Sequence, residues 1–306
     1  MSLSRFLDQY SEQLEQANRV FVGYSGGLDS TLLLHAAVEL LGVEKICALH
    51  ANHQLQAESD EWQAHCRRQA RELGVEYRDV QLLVSNQGRG VENEARDQRY
   101  QFFREHLEAE DILLLGHHAD DQAETLLYRL FRGAGVRGLS AIPEQRSEGQ
   151  AILLRPLLNT SRQDLRISAI EAELEWIEDP SNEDTNYDRN YIRAKVLPSI
   201  VERWPAAKTT LVRASANLAS TAALLDEYGD DLLLRCDWRE ARWGWSFEIE
   251  GFKSLSSAAQ THLLSTAFRE TDLSGFDSAY LGKVRSLLTS AQDKAPLLMA
   301  GDSELR

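Results

Sequence analysis

The sequence predicts an α/β fold: a doubly wound parallel sheet followed by a mostly helical second domain. Three observations support this prediction. Strand-like apolar runs alternate with helix-like segments through the first half of the chain. The glycine-rich stretch GYSGGLDST (23–31) stands between an apolar run and a helix start, where such sheets bind ligands. After about residue 189 the alternation stops, and segments rich in Ala and Leu follow.

The elements of the first half follow from apolar runs and turn residues. Gly74 ends the second predicted helix as a C′ glycine does. Strands that alternate with helices at this spacing imply a parallel sheet covered on both faces. The predicted strands are 19–23, 45–50, 75–83, 111–116 and 152–155, and the predicted helices are 30–41, 59–73, 91–108 and 121–131.

The second half predicts two successive helices, 191–204 and 205–234, with strand-like alternation returning only near 243. The predicted domains are therefore 1–210 and 211–306. The final residues, PLLMAGDSELR, read as a strand, a Gly-Asp turn and the start of a return strand. We expect the second domain to be truncated at its C-terminal end, as a fragment or as a naturally short form.

Composition is typical of a soluble globular protein, with 306 residues, 43% apolar and 26% charged. No apolar run approaches the roughly 18 residues of a membrane span, and the N-terminus lacks the apolar core of a signal peptide. The expected location is the cytoplasm, with no membrane partner. Three scattered cysteines form no CxxC motif, which argues against a zinc cage or an iron–sulfur site.

The formal charge of −15 argues against a general nucleic-acid binder. Two segments depart from this average. Segment 129–166 holds seven arginines against three acidic residues, and segment 181–219 holds six basic residues against four acidic ones. An anionic partner could use these patches, or they are scattered solvated cations, and composition leaves both interpretations open.

The glycine-rich stretch has the features of a phosphate cradle. Gly26 and Gly27 let backbone N–H groups approach phosphate oxygens, and the following helix points its positive end at them. The stretch lacks the lysine of the familiar nucleotide loop. Asp29 would repel phosphates unless a cation stood between them, which indicates Mg²⁺. The alternative is a Gly-Gly turn with Asp29 as the N-cap of the helix.

The motif SGGLDS resembles the signature of the PP-loop, or N-type ATP pyrophosphatase, superfamily. Members bind ATP and cleave its α–β bond. The resemblance implies a Rossmann-like PP-loop ATPase domain with ATP and Mg²⁺ as cofactors. The implied nucleotide-binding residues are Ser25, Gly26, Gly27, Leu28, Asp29 and Ser30.

Five further motifs narrow the resemblance: ALHANHQL (48–55), GVENEARDQRY (90–100), GHHADDQAET (116–125), LLRPLL (153–158) and WIEDPSNEDTNYDRNYIR (176–193). In this order they resemble the tRNA(Ile)-lysidine synthetase family. That family uses ATP to adenylate O2 of the wobble cytidine of tRNA(Ile), and L-lysine then displaces AMP. The resemblance implies a carbon–nitrogen ligase that acts on tRNA(Ile) with a CAU anticodon. Whether the chain forms a homodimer stays open at this point.

The resemblance also implies roles for acidic residues. Asp121 would join Asp29 at Mg²⁺, and Glu124 lies one turn further along the same helix face. Glu124 or Asp121 would orient the lysine ammonium. The alternative is a capped helix with solvated acids. His117 would donate to a phosphate or to the leaving group, or it is a packed loop histidine.

Arginines supply the remaining candidates. Arg96 and Arg99, three apart on one helix, would bind phosphates or stabilise the charge that develops as AMP leaves, or they form a salt-bridged face with Glu92 and Glu94. The candidate RNA-binding residues are Arg189, Asn190, Arg193, Arg132 and Arg137. The last two belong to a glycine-containing basic loop that closes over a nucleotide or is a simple turn.

Three alternatives stay open. A tRNA cytidine thiolase of the same superfamily would need a cysteine pair that carries persulfide or a cluster. An amidating enzyme like GMP synthetase would lack the motifs at 116–125 and 176–193. A non-catalytic ATP-binding regulator would keep the loop without needing Asp121, Glu124 or the arginines. Longer members of the lysidine family carry a further C-terminal domain, so we expect the shorter length of this chain to affect tRNA positioning more than the chemistry.

Overall fold

The computed structural model describes residues 2–54, 56, 58–82, 91–180, 184–242, 244–271, 278–289, 298–300 and 303–305. The chain forms two compact units, 1–219 and 220–306. None of the helices in these described ranges has a stretch both long and apolar enough to cross a lipid bilayer.

The first unit is an α/β unit. Its helices are α1 (Ser11–Gln16), α2 (Leu28–Leu41), α3 (Ser59–Leu73), α4 (Val91–His106), α5 (Ala119–Phe131), α6 (Val136–Leu139), α7 (Arg162–Glu171), α8 (Asp188–Tyr191) and α9 (Leu197–Arg203). Its strands are β1 (Val20–Gly23), β2 (Ile46–Asn52), β3 (Glu76–Gln81), β4 (Ile112–Leu114), β5 (Gln145–Glu148) and β6 (Ala151–Leu154).

These strands form one sheet in the order β3-β2-β1-β4-β6-β5. β3, β2, β1, β4 and β6 run parallel to one another, which confirms the predicted doubly wound sheet. The order reverses between β1 and β4, so a crevice opens there beyond the C-terminal ends of both strands. The site described below occupies this crevice.

The edge strand β5 was not predicted. It pairs antiparallel with β6, so the sheet is mixed rather than wholly parallel. Its sequence, QRSE, has no apolar alternation, and only Glu148 is buried. The pairing depends on a tight turn in which Gly149 has a φ of +64°, a conformation that favours glycine.

Both faces of the central strands β1, β2, β4 and β6 are buried, which explains their nearly continuous apolar sequences. On one face, Val20 and Val22 of β1 pack in a cluster with Leu33 of α2. On the other face, Phe21 packs in a cluster with Phe103 of α4. The core therefore fixes β1 and α2, and with them the glycine-rich loop that joins them.

The predicted single helix 191–204 is in fact three consecutive segments. α8 passes into a π-helical turn, Ile192–Val196, which continues as α9. π-helical turns are rare and occur frequently at functional sites. Ile192 and Leu197 pack against Ala123 and Leu127, and this contact fixes the turn against α5.

The second unit is mostly helical, as predicted. The second unit begins at residue 220, within α10 (Ala207–Arg235), and this helix is the first of the unit. Its further helices are α11 (Ile249–Ser254), α12 (Ser257–Glu270) and α13 (Ser278–Thr289), and its strands are β7 (Arg239–Ala241), β8 (Gly244–Ser246), β9 (Leu298–Ala300) and β10 (Ser303–Leu305). β9 and β10 pair antiparallel, as the C-terminal sequence predicts, although the turn between them lies outside the described residues.

Candidate functional site

Hydrogen bonds between its own serines and backbone hold the glycine-rich loop in shape. The Ser30 hydroxyl donates to the Gly27 carbonyl (3.1 Å) and lies 3.0 Å from the Ser25 hydroxyl. The Ser25 hydroxyl accepts from the Gly27 N–H (3.3 Å). Gly27 is the N-cap of α2 and Asp29 is the second helical residue, so Asp29 is not the N-cap. The Asp29 side chain is thus available to a ligand at the loop.

Gly26 occupies a position that no other residue fits without strain. Its φ is +81°, and a Cβ atom there would lie 2.7 Å from Cys66 Sγ and 2.8 Å from Ile177 Cδ1. The Gly26 carbonyl accepts from the Ile177 N–H (2.8 Å). This bond ties the motif that starts at residue 176 to the loop.

Gly116 lets the chain after β4 approach the start of α2. A Cβ atom at Gly116 would lie 3.1 Å from the carbonyl carbon of Asp29. This close approach brings the GHHADDQAET motif beside Asp29. The two motifs therefore form one site at the crevice between β1 and β4.

His118 links the two acidic residues predicted to hold Mg²⁺. His118 is the N-cap of α5, where its Nδ1 accepts from the Asp121 N–H (3.4 Å) and its own N–H donates to Asp121 Oδ2 (3.0 Å). Its Nε2 lies 3.6 Å from both Asp29 Oδ2 and Asp121 Oδ2. Asp29 Oδ1 is buried without a hydrogen-bond partner in the described structure.

The environment separates the pKa values of these two carboxyl groups. Burial raises the pKa of Asp29, against the opposing effect of His118. Burial acts in the same direction on Asp121, but His118, His117 and Arg189 together hold the pKa of Asp121 below its usual value. Within the described part of the chain, no three or more histidine, cysteine and acidic side chains are grouped to hold a metal ion.

Glu124 is paired with arginine. Its side chain is 1% exposed, and both oxygens accept from Arg193, at 2.6 Å from Nε and 2.9 Å from Nη2. Arg189 lies further away, with Nη2 3.7 Å from Glu124 and 3.6 Å from Asp121. Two of the predicted RNA-binding residues, Arg189 and Arg193, thus lie beside Asp121 and Glu124, which with Asp29 form the acidic part of the site. The α8 segment that carries Arg189 contacts α5.

His117 lies at the same strand end and is neutral at physiological pH. Burial lowers the pKa of His117 to about 3, against the opposing effect of Asp121. Its Nδ1 is buried without a hydrogen-bond partner among the described residues. The ring is therefore available as a neutral donor or acceptor.

Arg96 and Arg99 lie around the aromatic ring of Tyr100, with guanidinium carbons 5.3 and 5.7 Å from the ring centroid. Arg146 of β5 contacts the same ring at 4.9 Å. Of the acids proposed as alternative partners, Glu94 accepts from Gln98 Nε2 (3.2 Å), and the Glu92 side chain lies outside the described residues. These cations form the second, positive part of the site.

The other predicted RNA-binding residues lie on α8 and on the segment that follows α5. Arg129 donates to the carbonyls of Gly138 (2.9 Å) and Ala141 (2.7 Å), which gives the basic loop a fixed shape. Arg132 in that loop donates to the Tyr128 hydroxyl. The remaining two are Arg137, in α6, and Asn190, whose Nδ2 donates to the Asp184 carbonyl (2.9 Å).

Sequence reasoning missed several contributors to the site. His118 was given no role of its own within the GHHADDQAET motif, although an N-cap position three residues before Asp121 was a readable signal. Nothing local in the sequence marked Tyr100 or Arg129 as organising residues. Their roles depend on contacts with side chains or carbonyls elsewhere in the fold.

A glycine-rich loop of the phosphate-binding type follows β1, and the start of α5 lies beside it at the topological switch point of the sheet. This arrangement is that of a PP-loop protein. The PP-loop domain family matches residues 2–200, and this chain belongs to that family. The thiolase that acts on U34 of tRNA in Methanococcus maripaludis has a similar fold, with a TM-score of 0.54 at 17% identity over 71% of this chain and 79% of that chain.

The similar curated proteins are tRNA(Ile)-lysidine synthases. The protein from Pseudomonas fluorescens is 45% identical over 241 residues, which cover 78% of this chain and 53% of that protein. The protein from Pseudomonas aeruginosa is 39% identical over 295 residues, which cover 93% of this chain and 66% of that protein. The chain thus spans about half to two thirds of the length of these relatives.

Proposed function

We propose that this chain ligates L-lysine to C2 of the wobble cytidine of tRNA(Ile) with a CAU anticodon. In the first step, cytidine O2 attacks the α-phosphorus of ATP, and pyrophosphate leaves. In the second step, the lysine ε-amine attacks C2, the C2–O2 bond breaks, AMP leaves, and the amine loses a proton. The observation that carries the proposal is the meeting of Asp29, Asp121 and Glu124 at the glycine-rich loop, in a chain similar to lysidine synthases.

The loop supports the nucleotide part of the proposal. Gly26 lets the loop pack closely against Cys66 and Ile177, Gly27 is the N-cap of α2, and α2 directs its N-terminal N–H groups toward the place where a phosphate would bind. The residues also fit a magnesium ion, because Asp29 Oδ1 is buried without a partner and Asp121 is kept ionised. Mg²⁺ usually binds one or two carboxylates together with substrate phosphates. When bound, it would neutralise the phosphates and the charge of the leaving pyrophosphate.

The acidic part of the site supports lysine as the second substrate. Asp121 and Glu124 are the acceptors for the ammonium, and Arg189 now lies between them at 3.6 and 3.7 Å, beyond hydrogen-bonding distance. Arg193 is bound far more tightly to Glu124. We propose that the lysine ammonium takes the place of the Arg189 guanidinium, while Arg193 orients Glu124 and opposes the effect of burial, which raises the pKa of Glu124.

RNA would approach over the basic loop and α8. Arg132 and Arg137 lie on the segment that follows α5, and Asn190 lies on α8, and local hydrogen bonds and a ring contact hold these elements in shape. In a chain of net charge −15, such local cations would contact the RNA backbone while the rest of the surface repels bulk RNA.

The thiolase alternative has less support. All three cysteines are buried, and burial raises the pKa of Cys47 to about 11 and that of Cys66 to about 12. Thiols of this kind are poor nucleophiles at neutral pH, because the thiolate is the reactive form.

The test uses the full chain with ATP, L-lysine and a tRNA(Ile) transcript, and follows radiolabelled AMP transfer and lysine incorporation. We expect Asp29→Asn to abolish AMP transfer and to keep the wild-type melting curve, whereas Asp8→Asn, an exposed acid in the same unit, should leave both unchanged. Transfer by Asp29→Asn at the wild-type rate would remove Asp29 from the metal site. A wild-type chain that releases pyrophosphate but incorporates no lysine would contradict the proposed ligation.

A further inference from the structure

Arg155 is a buried cation whose position the proposed reaction does not yet use. It follows β6 directly and is 2% exposed. Its Nη1 donates to the Pro143 carbonyl (2.6 Å), and its Nε is buried without a hydrogen-bond partner in the described structure. Leaving a buried donor without a partner costs about 1–3 kcal/mol, more for a charged group, so a partner that is absent here is expected to complete it.

Arg155 lies near two further guanidinium groups, those of Arg146 and Arg96, of which Arg146 is paired with Glu148 at 2.6 Å. Burial lowers the pKa of Arg155, the Tyr100 hydroxyl beside it opposes this effect, and the nearby guanidinium groups of Arg146 and Arg96 lower the pKa further. Tyr100 lies among these groups: its ring contacts Arg96, Arg99 and Arg146, and its buried hydroxyl lies beside the Arg155 guanidinium. The aromatic ring thus stabilises several positive charges close together, an arrangement that an anion would stabilise more strongly.

Arg155 lies at the edge of the sheet that carries the candidate site. β1, β4 and β6 run parallel, so Arg155 lies at the same sheet edge as the glycine-rich loop. Leu115 donates to the Leu154 carbonyl (3.0 Å), which brings the two chain segments after β4 and β6 together. Arg155 and Arg99 are also among the cations that help to keep His117 neutral.

We propose that Arg155, Arg96 and Arg99 form a phosphate-binding subsite, organised by Tyr100, beside the glycine-rich loop. The guanidinium fork is suited to phosphate oxygens, and the buried Arg155 supplies an unpartnered donor. This inference rests on the proposed function. Two ligands of that reaction carry such phosphate oxygens: the pyrophosphate that leaves ATP, and a phosphodiester of the RNA. The subsite would hold the first as it departs or position the second.

The experiment measures binding to the full chain by calorimetry with inorganic pyrophosphate and Mg²⁺, and by filter binding with an RNA hairpin that carries the CAU loop. The variants are Arg155→Met, Arg155→Lys and Arg96→Met. Arg104→Met is the matched control, because Arg104 lies on the same helix as Arg96 but pairs with Glu148 at 3.2 Å. Arg96 is exposed, so its variant tests the subsite without disturbing the core.

We expect Arg155→Met and Arg96→Met each to weaken pyrophosphate binding by about ten-fold or more, as losing a charge-assisted hydrogen bond does, with Arg155→Lys intermediate and Arg104→Met unchanged. A loss confined to the RNA hairpin would support the subsite and assign it to the RNA. Wild-type affinity of the Arg96 and Arg155 variants for both probes would overturn the inference, as would a wild-type chain that binds neither probe. Arginine-dependent pyrophosphate binding without lysine ligation would leave the subsite standing and reject the proposed function.

Discussion

Replacing Gly26 with alanine tests whether close approach at the loop is what requires glycine. Two costs add at this position. A residue with a Cβ atom at a φ of +81° costs about 1–2 kcal/mol. The Cβ would also lie 2.7 and 2.8 Å from Cys66 Sγ and Ile177 Cδ1, both in a packed region, and such overpacking costs about 1–3 kcal/mol. The total is about 2–5 kcal/mol.

Thermal unfolding followed by circular dichroism measures this cost. For a unit of this size each kcal/mol lowers the melting temperature by about 2–4 °C, so Gly26→Ala should lower it by about 4–20 °C. Gly149→Ala is the matched control, because Gly149 has a φ of +64° but no atom within 4 Å of its Cβ position. It should show the conformational cost alone, about 2–8 °C.

A second variant separates the clash from the strain. Cys66→Ala removes the Sγ atom, so the double variant should be more stable than the two single effects predict, with a coupling of about 0.5–3 kcal/mol. Equal melting temperatures for Gly26→Ala and Gly149→Ala, together with additive effects in the double variant, would refute the close-approach argument.

Two other predictions concern charge. Arg193→Met should lower the free energy of unfolding by about 3 kcal/mol because it leaves Glu124 buried without its bidentate partner, whereas Arg189→Met, 37% exposed and beyond hydrogen-bonding distance, should cost under about 1 kcal/mol. Equal costs in urea titrations would contradict this ranking. The pKa of His117 is lowered to about 3 in the folded chain. As pH falls below about 6.5, this histidine is therefore protonated in the unfolded chain but not in the folded chain, and the free energy of unfolding decreases. The His117→Asn variant should lack this decrease, which amounts to up to about 2 kcal/mol between pH 7 and pH 5. If urea titrations give a stability difference between variant and wild type that does not change with pH, this prediction is wrong.

Much of the sheet could be predicted because its strands are buried on both faces and therefore read as apolar runs. β1 and β4 illustrate this, since each pairs with a parallel neighbour on both sides. β5 could not be predicted, because an exposed edge strand needs no apolar pattern and its register comes from the turn at Gly149. The π-helical turn at 192–196 was equally invisible, since it depends on packing against α5.

The candidate site was predictable in its residues more than in their pairing. The loop and the α5 start are local motifs, and the distance between Asp29 and Asp121 follows from parallel strands that end at one sheet edge. The pairing of Glu124 with Arg193 joins positions 69 residues apart, and no local pattern encodes it. Arg155 was visible only as part of the LLRPLL motif, and its burial among other arginines required the fold.

The charges of the site explain why the loop needs no lysine. Among the described residues, Asp29, Asp121 and Glu124 lie near three guanidinium groups, those of Arg189, Arg193 and Arg162, so these cations are already balanced when all three carboxyl groups are ionised. A triphosphate brought to this part would add repulsion in a region of low dielectric constant. Compensation must come from a divalent cation at Asp29, from the arginines around Tyr100, or from both. Because these cations flank the loop on separate elements, a lysine within the loop is not required for the nucleotide to bind.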